Sequence, residues 1–270
     1  DIGKLAIAGT VNDLAMMGAK PEYLSASFII EEGFPYADLA RIVESMAAEL
    51  AKSGARIVCG DTKVVPKGAA DKIFINTSGV GTFPQPEQSR GISVRNLKAG
   101  DAILVSRDIG SHGACILMAR DALQLGSTLK SDCTTLWPQV EALLKAGITP
   151  HALRDATRGG LAAVLNEWSS ASQVAIELEE SAIPVCDPVR GLCELYGFEP
   201  HDLANEGTMV LALPAEQAQD ALGILRQFNS AASQIGVVQA SDRHKVILNN
   251  PWGSRRYLEL PQGELLPRIC

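Results

Sequence analysis

Arg154-Asp155-Ala156-Thr157-Arg158-Gly159-Gly160 runs straight into Leu161, Val164, Leu165 and Trp168, spaced i, i+3, i+4 and i+7. That spacing is one apolar face of a helix beginning near Leu161. A helix start offers unpaired backbone N–H groups and the positive end of the helix dipole, which suits phosphate. Gly159 and Gly160 let a ligand approach the backbone closely, and Arg154 and Arg158 add charge-assisted donors. Asp155 is out of place in a purely anion-binding loop, and a metal bridging it to phosphate resolves the conflict. The structural alternative is a helix cap by Asp155 or Thr157, but a cap does not need two arginines.

Outward from this stretch, helical and extended patterns are mixed. Upstream, the spacing of Ala8, Val11, Ala15 and Gly18 predicts a helix of small residues from Gly3 to Met17, ended by Pro21. Tyr23 to Ile30 reads as a strand. Leu39, Ile42, Val43, Met46 and Leu50 mark a helix face. Arg56 to Cys59 and Lys72 to Val80 read as strands, and Ala102 to Ser106 as a short buried one. Helices are expected over 112–120 and 132–145. Downstream, strands are expected at Val174–Leu178, Met209–Leu213, Ile235–Gln239, Val246–Leu248 and Tyr257–Leu260, with helices at Val189–Leu195 and around Ala218, Ala221, Leu222 and Leu225. Phe83-Pro84-Gln85-Pro86-Glu87 and the turn-like Asn96-Leu97-Lys98-Ala99-Gly100-Asp101 break the pattern. The expected architecture is α+β or mixed α/β in two domains, residues 1–95 and 96–260, with antiparallel pairing favoured where strands follow one another. Residues 261–270 are expected to form a flexible tail carrying Cys270. No internal repeat is evident.

The chain has 270 residues, 46% hydrophobic and 20% charged, as in ordinary globular proteins. A net charge of −7 argues against a broad nucleic-acid-binding face. No apolar run approaches the roughly 20 residues needed to cross a bilayer. No signal peptide is visible, and the start at Asp1 rather than a methionine leads us to expect that the true start lies upstream. The six cysteines (59, 115, 133, 186, 193 and 270) form no C-x-x-C pair and no metal-ligand rhythm. Cys59 and Cys115 sit in apolar surroundings and are expected to be small core residues. A reducing, cytoplasmic setting is the simplest reading.

Three further clusters could carry chemistry. Asn12-Asp13 lies in an otherwise apolar helix, so Asp13 should be paired, metal-bound or on the solvated side. Gly60-Asp61-Thr62-Lys63 follows an apolar strand and could hold a Mg²⁺–phosphate ligand or be a plain turn. Asn205-Glu206-Gly207 precedes a strand, and Glu206 there is either a general base or a turn carboxylate. His112 lies in Gly110-Ser111-His112-Gly113 at an expected helix start, and the other histidines are scattered. There is no Walker A sequence, no dinucleotide fingerprint and no Ser–His–Asp arrangement at a recognisable elbow. The chain ends in Pro267-Arg268-Ile269-Cys270, after a stretch holding Pro261, Gly263 and Pro267 through which no helix or central strand can run. This places a thiol on a short tether; a solvent-exposed accident is the alternative. A prenylation box needs its cysteine further from the end.

Taken together, several stretches resemble the HypE family, the carbamoyl dehydratases of nickel–iron hydrogenase maturation. They are Gly3-Lys4-Leu5-Ala6 with Gly9-Thr10-Val11-Asn12-Asp13, Gly60-Asp61-Thr62-Lys63-Val64-Val65, Arg154 to Gly160, Asn205-Glu206-Gly207 and the terminal Pro-Arg-Ile-Cys. That family belongs to the ATP-binding superfamily of aminoimidazole ribonucleotide synthetase, selenophosphate synthetase and thiamine monophosphate kinase. The resemblance implies a two-domain fold that dimerises through its N-terminal domains with ATP near the interface. It implies that HypF carbamoylates Cys270, that ATP-dependent dehydration gives a thiocyanate, and that the cyanide passes to iron on the HypC–HypD complex. Cys270 would be the covalent carrier, Lys63 would stabilise developing charge and Glu206 would be the base. Asp13, Asp61 and Asp155 would hold Mg²⁺, and Lys4, Asn12, Asp13, Asp61, Thr157, Arg158, Gly159, Gly160 and Asn205 would bind the nucleotide. The family carries further N-terminal residues, a glycine-rich segment and a strand with an aspartate, and the sequence is expected to begin after them. The alternatives are a small-molecule kinase or synthetase of the same superfamily, which has no use for Cys270, and a non-catalytic maturation scaffold.

Overall fold

The computed structural model describes residues 1–84, 87, 91–120 and 129–261; the tail cysteine Cys270 and part of the proline-rich stretch after Phe83 lie outside them. The chain divides into two compact units, the first formed by Asp1–Pro84 with Cys133–Glu141 and the second by the rest of the described chain.

The first unit opens with α1 (Ile2–Met16), then β1 (Lys20–Glu31), α2 (Tyr36–Ser53), β2 (Arg56–Val65) and β3 (Ile73–Thr82). Helix α1 buries Ile7, Ala8, Val11 and Ala15, and the Thr10 hydroxyl meets that of Thr77 on β3 at 2.6 Å. Helix α2 buries Ile42, Met46 and Leu50 along one stripe and stops at the left-handed Gly54, whose N–H bonds the Leu50 carbonyl. The three-stranded sheet has the order β2-β1-β3, with β1 parallel to β2 and antiparallel to β3.

Gly60-Asp61-Thr62-Lys63 is not a strand-end turn but lies inside β2, which runs on to Val65. Parallel pairing with β1, from Tyr23↔Arg56 to Glu31↔Val65, overrides the local Gly-Asp turn signal. A bulge between Leu24 and Ser25 shifts the register. A side chain at Gly60 would run into the Ala26 carbonyl oxygen, so only glycine lets the two strands lie this close. Register puts Cys59, Asp61 and Lys63 opposite Ser25, Ser27 and Ile29, and Ser27 and Ile29 opposite Asn76 and Phe74. These residues share the sheet face that the helices leave open. Cys59 is therefore exposed rather than in the core, and Cys115 is half-buried; among the described residues, Cys133 and Cys193 are the buried thiols.

Residues 131–136 form neither helix nor strand, and α4 begins only at Trp137 (Trp137–Lys145) rather than at 132. Two buried side chains hold the lead-in. Asn12 Nδ2 donates to the Thr134 carbonyl at 3.1 Å and its Oδ1 accepts the Leu136 N–H at 2.7 Å. Glu49 accepts the Thr135 N–H at 2.6 Å and pairs with Lys52 at 2.6 Å. Pro138 then sits in the first turn, where a missing N–H is harmless.

The second unit is a seven-stranded mixed sheet in the order β10-β9-β6-β8-β4-β7-β5. Its strands are β4 (Ala102–Val105), β5 (Ala152–Asp155), β6 (Ala175–Glu179), β7 (Met209–Leu213), β8 (Ser233–Gln239), β9 (Val246–Asn249) and β10 (Arg255–Tyr257). Among its described strands only β6 and β9 pair in parallel; the other pairs are antiparallel. Strands β4 and β7 are buried along their whole length, hence their uninterrupted apolar sequence. Helix α5 (Gly160–Ser172) lays Leu161, Leu165 and Trp168 into the core with Ile103, Val105, Val210, Ile176 and Ile235. A smaller apolar cluster joins α3 (Ser111–Arg120) to α6 (Asp187–Tyr196) through Ala114, Leu117, Val189, Leu192, Cys193 and Leu203. Helix α7 (Ala218–Phe228) buries Ala218, Ala221, Leu222 and Leu225. Among the described residues, no helix is long and apolar enough to cross a membrane.

Candidate active site

Three chain segments meet at one end of the second sheet: the exit of β4, the exit of β5 and the entrance of β7. Asp155, the last residue of β5, pairs in register with Met209, the first of β7. The Ala156 N–H donates to the Thr208 carbonyl at 2.9 Å, and the Asn205 N–H donates to the Ala156 carbonyl at 3.0 Å. From the β4 side, the Ser106 N–H donates to the Met209 carbonyl and Ser106 Oγ accepts the Met209 N–H, both at 3.0 Å. The Asp155–Gly160 and Asn205–Glu206 motifs, 50 residues apart in the chain, are thus stitched together.

Asn205 is completely buried and spans this corner. Its Oδ1 accepts the Gly110 N–H at 2.6 Å, and its Nδ2 donates to the Ala156 and Leu203 carbonyls at 3.0 Å each. Its carboxamide is committed to backbone, so Asn205 fixes the loop that carries Glu206. Asn12 is engaged in the same way in the first unit.

Gly159 and Gly160 open α5 with φ of 72° and 57°. A side chain at Gly160 would stand 2.5 Å from both the His201 and Leu203 carbonyl oxygens. Gly160→Ala is expected to lose at least about 1–2 kcal/mol from the left-handed backbone alone, with steric conflict added. Gly223, exposed within α7, has nothing within 4 Å of an added Cβ, so Gly223→Ala is expected to gain about 0.5–1 kcal/mol. Urea denaturation midpoints of the two variants, moving in opposite directions, check this.

Asp155 is buried, Thr157 and Glu206 are half-buried, and Arg158 is exposed beside them. Arg154, also exposed, pairs with Glu167 at 3.6 Å. Lys4, Asn12, Asp13, Asp61 and Lys63 belong to the first unit: Lys4 half-buried and Asp13 exposed on α1, Asp61 and Lys63 exposed on β2. Among the described residues, no group of three or more His, Cys, Asp or Glu could hold a metal ion by itself.

The sequence reading missed Asp132. Its carboxylate is 2% exposed and accepts from the Glu206 N–H at 3.1 and 3.2 Å, the Gly207 N–H at 2.9 Å and the Thr208 hydroxyl at 2.9 Å. Next to it, His112 Nδ1 meets Ser131 Oγ at 2.9 Å. Burial lowers the pKa of His112, partly offset by the Asp132 charge.

His201 and Asp202, in the turn against which Gly160 packs, are a second perturbed pair. Burial, and then the Arg256 cation, lowers His201 to about 4. Burial, and then Glu199, raises Asp202 to about 6 against the pull of Arg256. Asp202 starts from 3.8, so its stabilisation is complete below pH 3.8 and is lost as pH rises through about 6. His201 starts from 6.5, so its stabilisation is present above pH 6.5 and is lost as pH falls through about 4. The two opposing contributions mask each other. Relative to the unsubstituted protein, Asp202→Asn is expected to gain stability as pH rises from 3.8 to about 6, and His201→Gln to lose it from about 4 to 6.5. Thermal melts across this range check both slopes.

Residues 1–83 match the model of the AIR synthase related protein N-terminal domain, and residues 98–249 that of the C-terminal domain. Carbamoyl dehydratase HypE of Azotobacter vinelandii is 47% identical over 272 residues, which cover 100% of this chain and 79% of that protein. The chain belongs to the HypE family. Among solved HypE structures, one described as in complex with ATP superposes with a TM-score of 0.94 at 42% identity, covering 100% of this chain and 82% of that one. A chain from a HypE–HypF complex gives 0.91 at 44% identity, covering 97% and 85%. Membership makes the chain a carbamoyl dehydratase of hydrogenase maturation, in the two-domain α/β fold expected from the sequence.

Proposed function

We propose that this chain dehydrates a carbamoyl group carried on its own Cys270 to a thiocyanate, using ATP. The observation that carries this reading is the stitching of the Glu206 loop to the Asp155–Gly160 helix entrance, which sets a candidate base beside a candidate phosphate-binding loop.

A thiocarbamate cannot readily lose water, because oxide is a poor leaving group. In the proposed reaction the carbonyl oxygen takes the γ-phosphoryl group and ADP leaves. The nitrogen then gives up its two protons, the C–O bond breaks, and the oxygen departs in inorganic phosphate. Phosphoryl transfer needs mainly positioning and charge neutralisation. Left-handed Gly159 and Gly160 leave the start of α5 bare of side chains, and Thr157 and Arg158 add a hydroxyl and a cation. Lys63 stabilises developing charge, and Glu206 takes protons from nitrogen within hydrogen-bond reach of about 3 Å or through one water. Mg²⁺ takes oxygen ligands and at phosphate sites is held by one or two carboxylates plus the phosphates. One or two carboxylates from among Asp13, Asp61 and Asp155 would suffice to supply oxygens in this reading, and the ion would neutralise phosphate charge. Lys4 is a further proposed nucleotide contact, and Asn12 and Asn205, whose carboxamides engage backbone groups, would serve the nucleotide site by shaping the segments around it.

For partners we infer HypF as the carbamoyl donor, supported by the HypE–HypF complex of a relative, and HypC–HypD as the cyanide acceptor, in the cytoplasm. A homodimer through the first unit accounts for the open sheet face, on which Tyr23, Ile29, Phe74 and Val80 are 42%, 44%, 54% and 62% exposed. The test is intact-mass analysis of the chain incubated with HypF, a carbamoyl donor and ATP. The expected result is a carbamoyl adduct on Cys270 that loses one water only when ATP is present. Absence of the adduct, or of the ATP-dependent loss, overturns the reading.

A further inference from the structure

We propose that Asp132 is the positioning residue of the Glu206 base. This rests on the reading of Glu206 given above and deepens it. Both Asp132 oxygens accept the Glu206 N–H, at 3.1 and 3.2 Å, and one of them also takes the Gly207 N–H and the Thr208 hydroxyl, each at 2.9 Å. A carboxylate 2% exposed needs such donors to offset its desolvation. Hydrogen bonds to an ionised acceptor are about twice as strong as neutral ones. Three donors from consecutive residues therefore fix the backbone of 206–208 against residue 132. The anchor is held in turn. Arg107 Nη1 donates to the Asp132 carbonyl at 3.4 Å, and the neighbouring Ser131 hydroxyl meets His112 at 2.9 Å.

Thr208 closes the arrangement, because its carbonyl accepts the Ala156 N–H at 2.9 Å, one residue beyond Asp155. Asp132 thereby ties the base to the loop proposed to meet phosphate, and a base displaced by about 1 Å can lose on the order of 100-fold in rate. Asp132 itself touches no reacting atom. It acts by aiming Glu206.

The test measures dehydration of the carbamoylated full chain by intact mass, with ATP affinity read separately by calorimetry. Asp132→Asn keeps the shape but puts an amide where an acceptor is required. It is expected to slow dehydration on the order of 10–100-fold with ATP affinity unchanged. Because Asp132 acts through Glu206, Asp132→Asn with Glu206→Gln is expected to be no slower than Glu206→Gln alone. Thr208→Val removes one donor from a well-packed site, and its expected loss is a few-fold; it carries the test if Asp132→Asn does not fold. Wild-type dehydration by folded Asp132→Asn, or by Thr208→Val in its place, overturns the proposal, as does a multiplicative loss in the double variant. A wild-type rate for Glu206→Gln would instead remove the base reading, and this proposal with it.

Discussion

The Cys270→Ala protein is expected to form no thiocyanate while binding ATP as the unsubstituted protein does. The thiol is the only group in this scheme that carries substrate, so its loss removes the reactant rather than slowing a step. The proposed nucleotide contacts are other residues, among them Thr157, Arg158, Gly159 and Gly160 at the start of α5 and Lys4, Asp13 and Asp61 of the first unit. Mass spectrometry of the products and titration of ATP into the variant separate the two functions. A loss of ATP affinity would make the tail part of the nucleotide pocket. Turnover of a free small molecule by the same variant would favour a kinase or synthetase of the superfamily over a self-loading dehydratase.

Glu206→Gln is expected to slow dehydration of carbamoylated protein by about 10²–10⁴, the range associated with a positioned general base. Glutamine preserves size and hydrogen bonding but cannot take a proton from nitrogen. The Glu206 backbone is held by the Asp132 carboxylate, and the side chain is half-buried, so a proton it takes can still reach water. Folding is expected to survive, because the Asn205 carboxamide, the Glu206 and Gly207 N–H groups and the Thr208 hydroxyl that tie this loop down are all untouched by the substitution. Single-turnover rates with saturating ATP check the prediction; an unchanged rate removes Glu206 from the base role.

Much of the architecture was legible because its signals are local and periodic. The stripes of α2 and α5 and the apolar run of β7 are read directly from spacing. Strand β2 was cut short because Gly60-Asp61 is a turn signal until a parallel partner is known, and parallel partners are remote in sequence. Strand β5 is four residues long and ends in the charged Arg154-Asp155, so no apolar run marks it as β4 is marked. Helix α4 starts later than its spacing suggests because Asn12 and Glu49, distant in the chain, take up backbone groups of residues 134–136. Asp155 to Gly160 and Glu206 stood out as compact motifs. Asp132 did not, since its partners lie 74 to 76 residues away and nothing around it marks a buried carboxylate. Asn205 was noticed, but its commitment to three backbone groups could not be read from Asn205-Glu206-Gly207 alone.

That commitment bears on the order of assembly. One carboxamide ties Asn205 to Gly110, 95 positions earlier, and to Ala156, 49 positions earlier. Contacts of such long reach require large loops to be closed before they return any energy. The corner bearing the proposed base is therefore expected to be knit late, after β4, β5 and β7 have docked. A partly folded chain can hold most of its secondary structure and still be inert, so turnover reports that maturation of this maturase is complete.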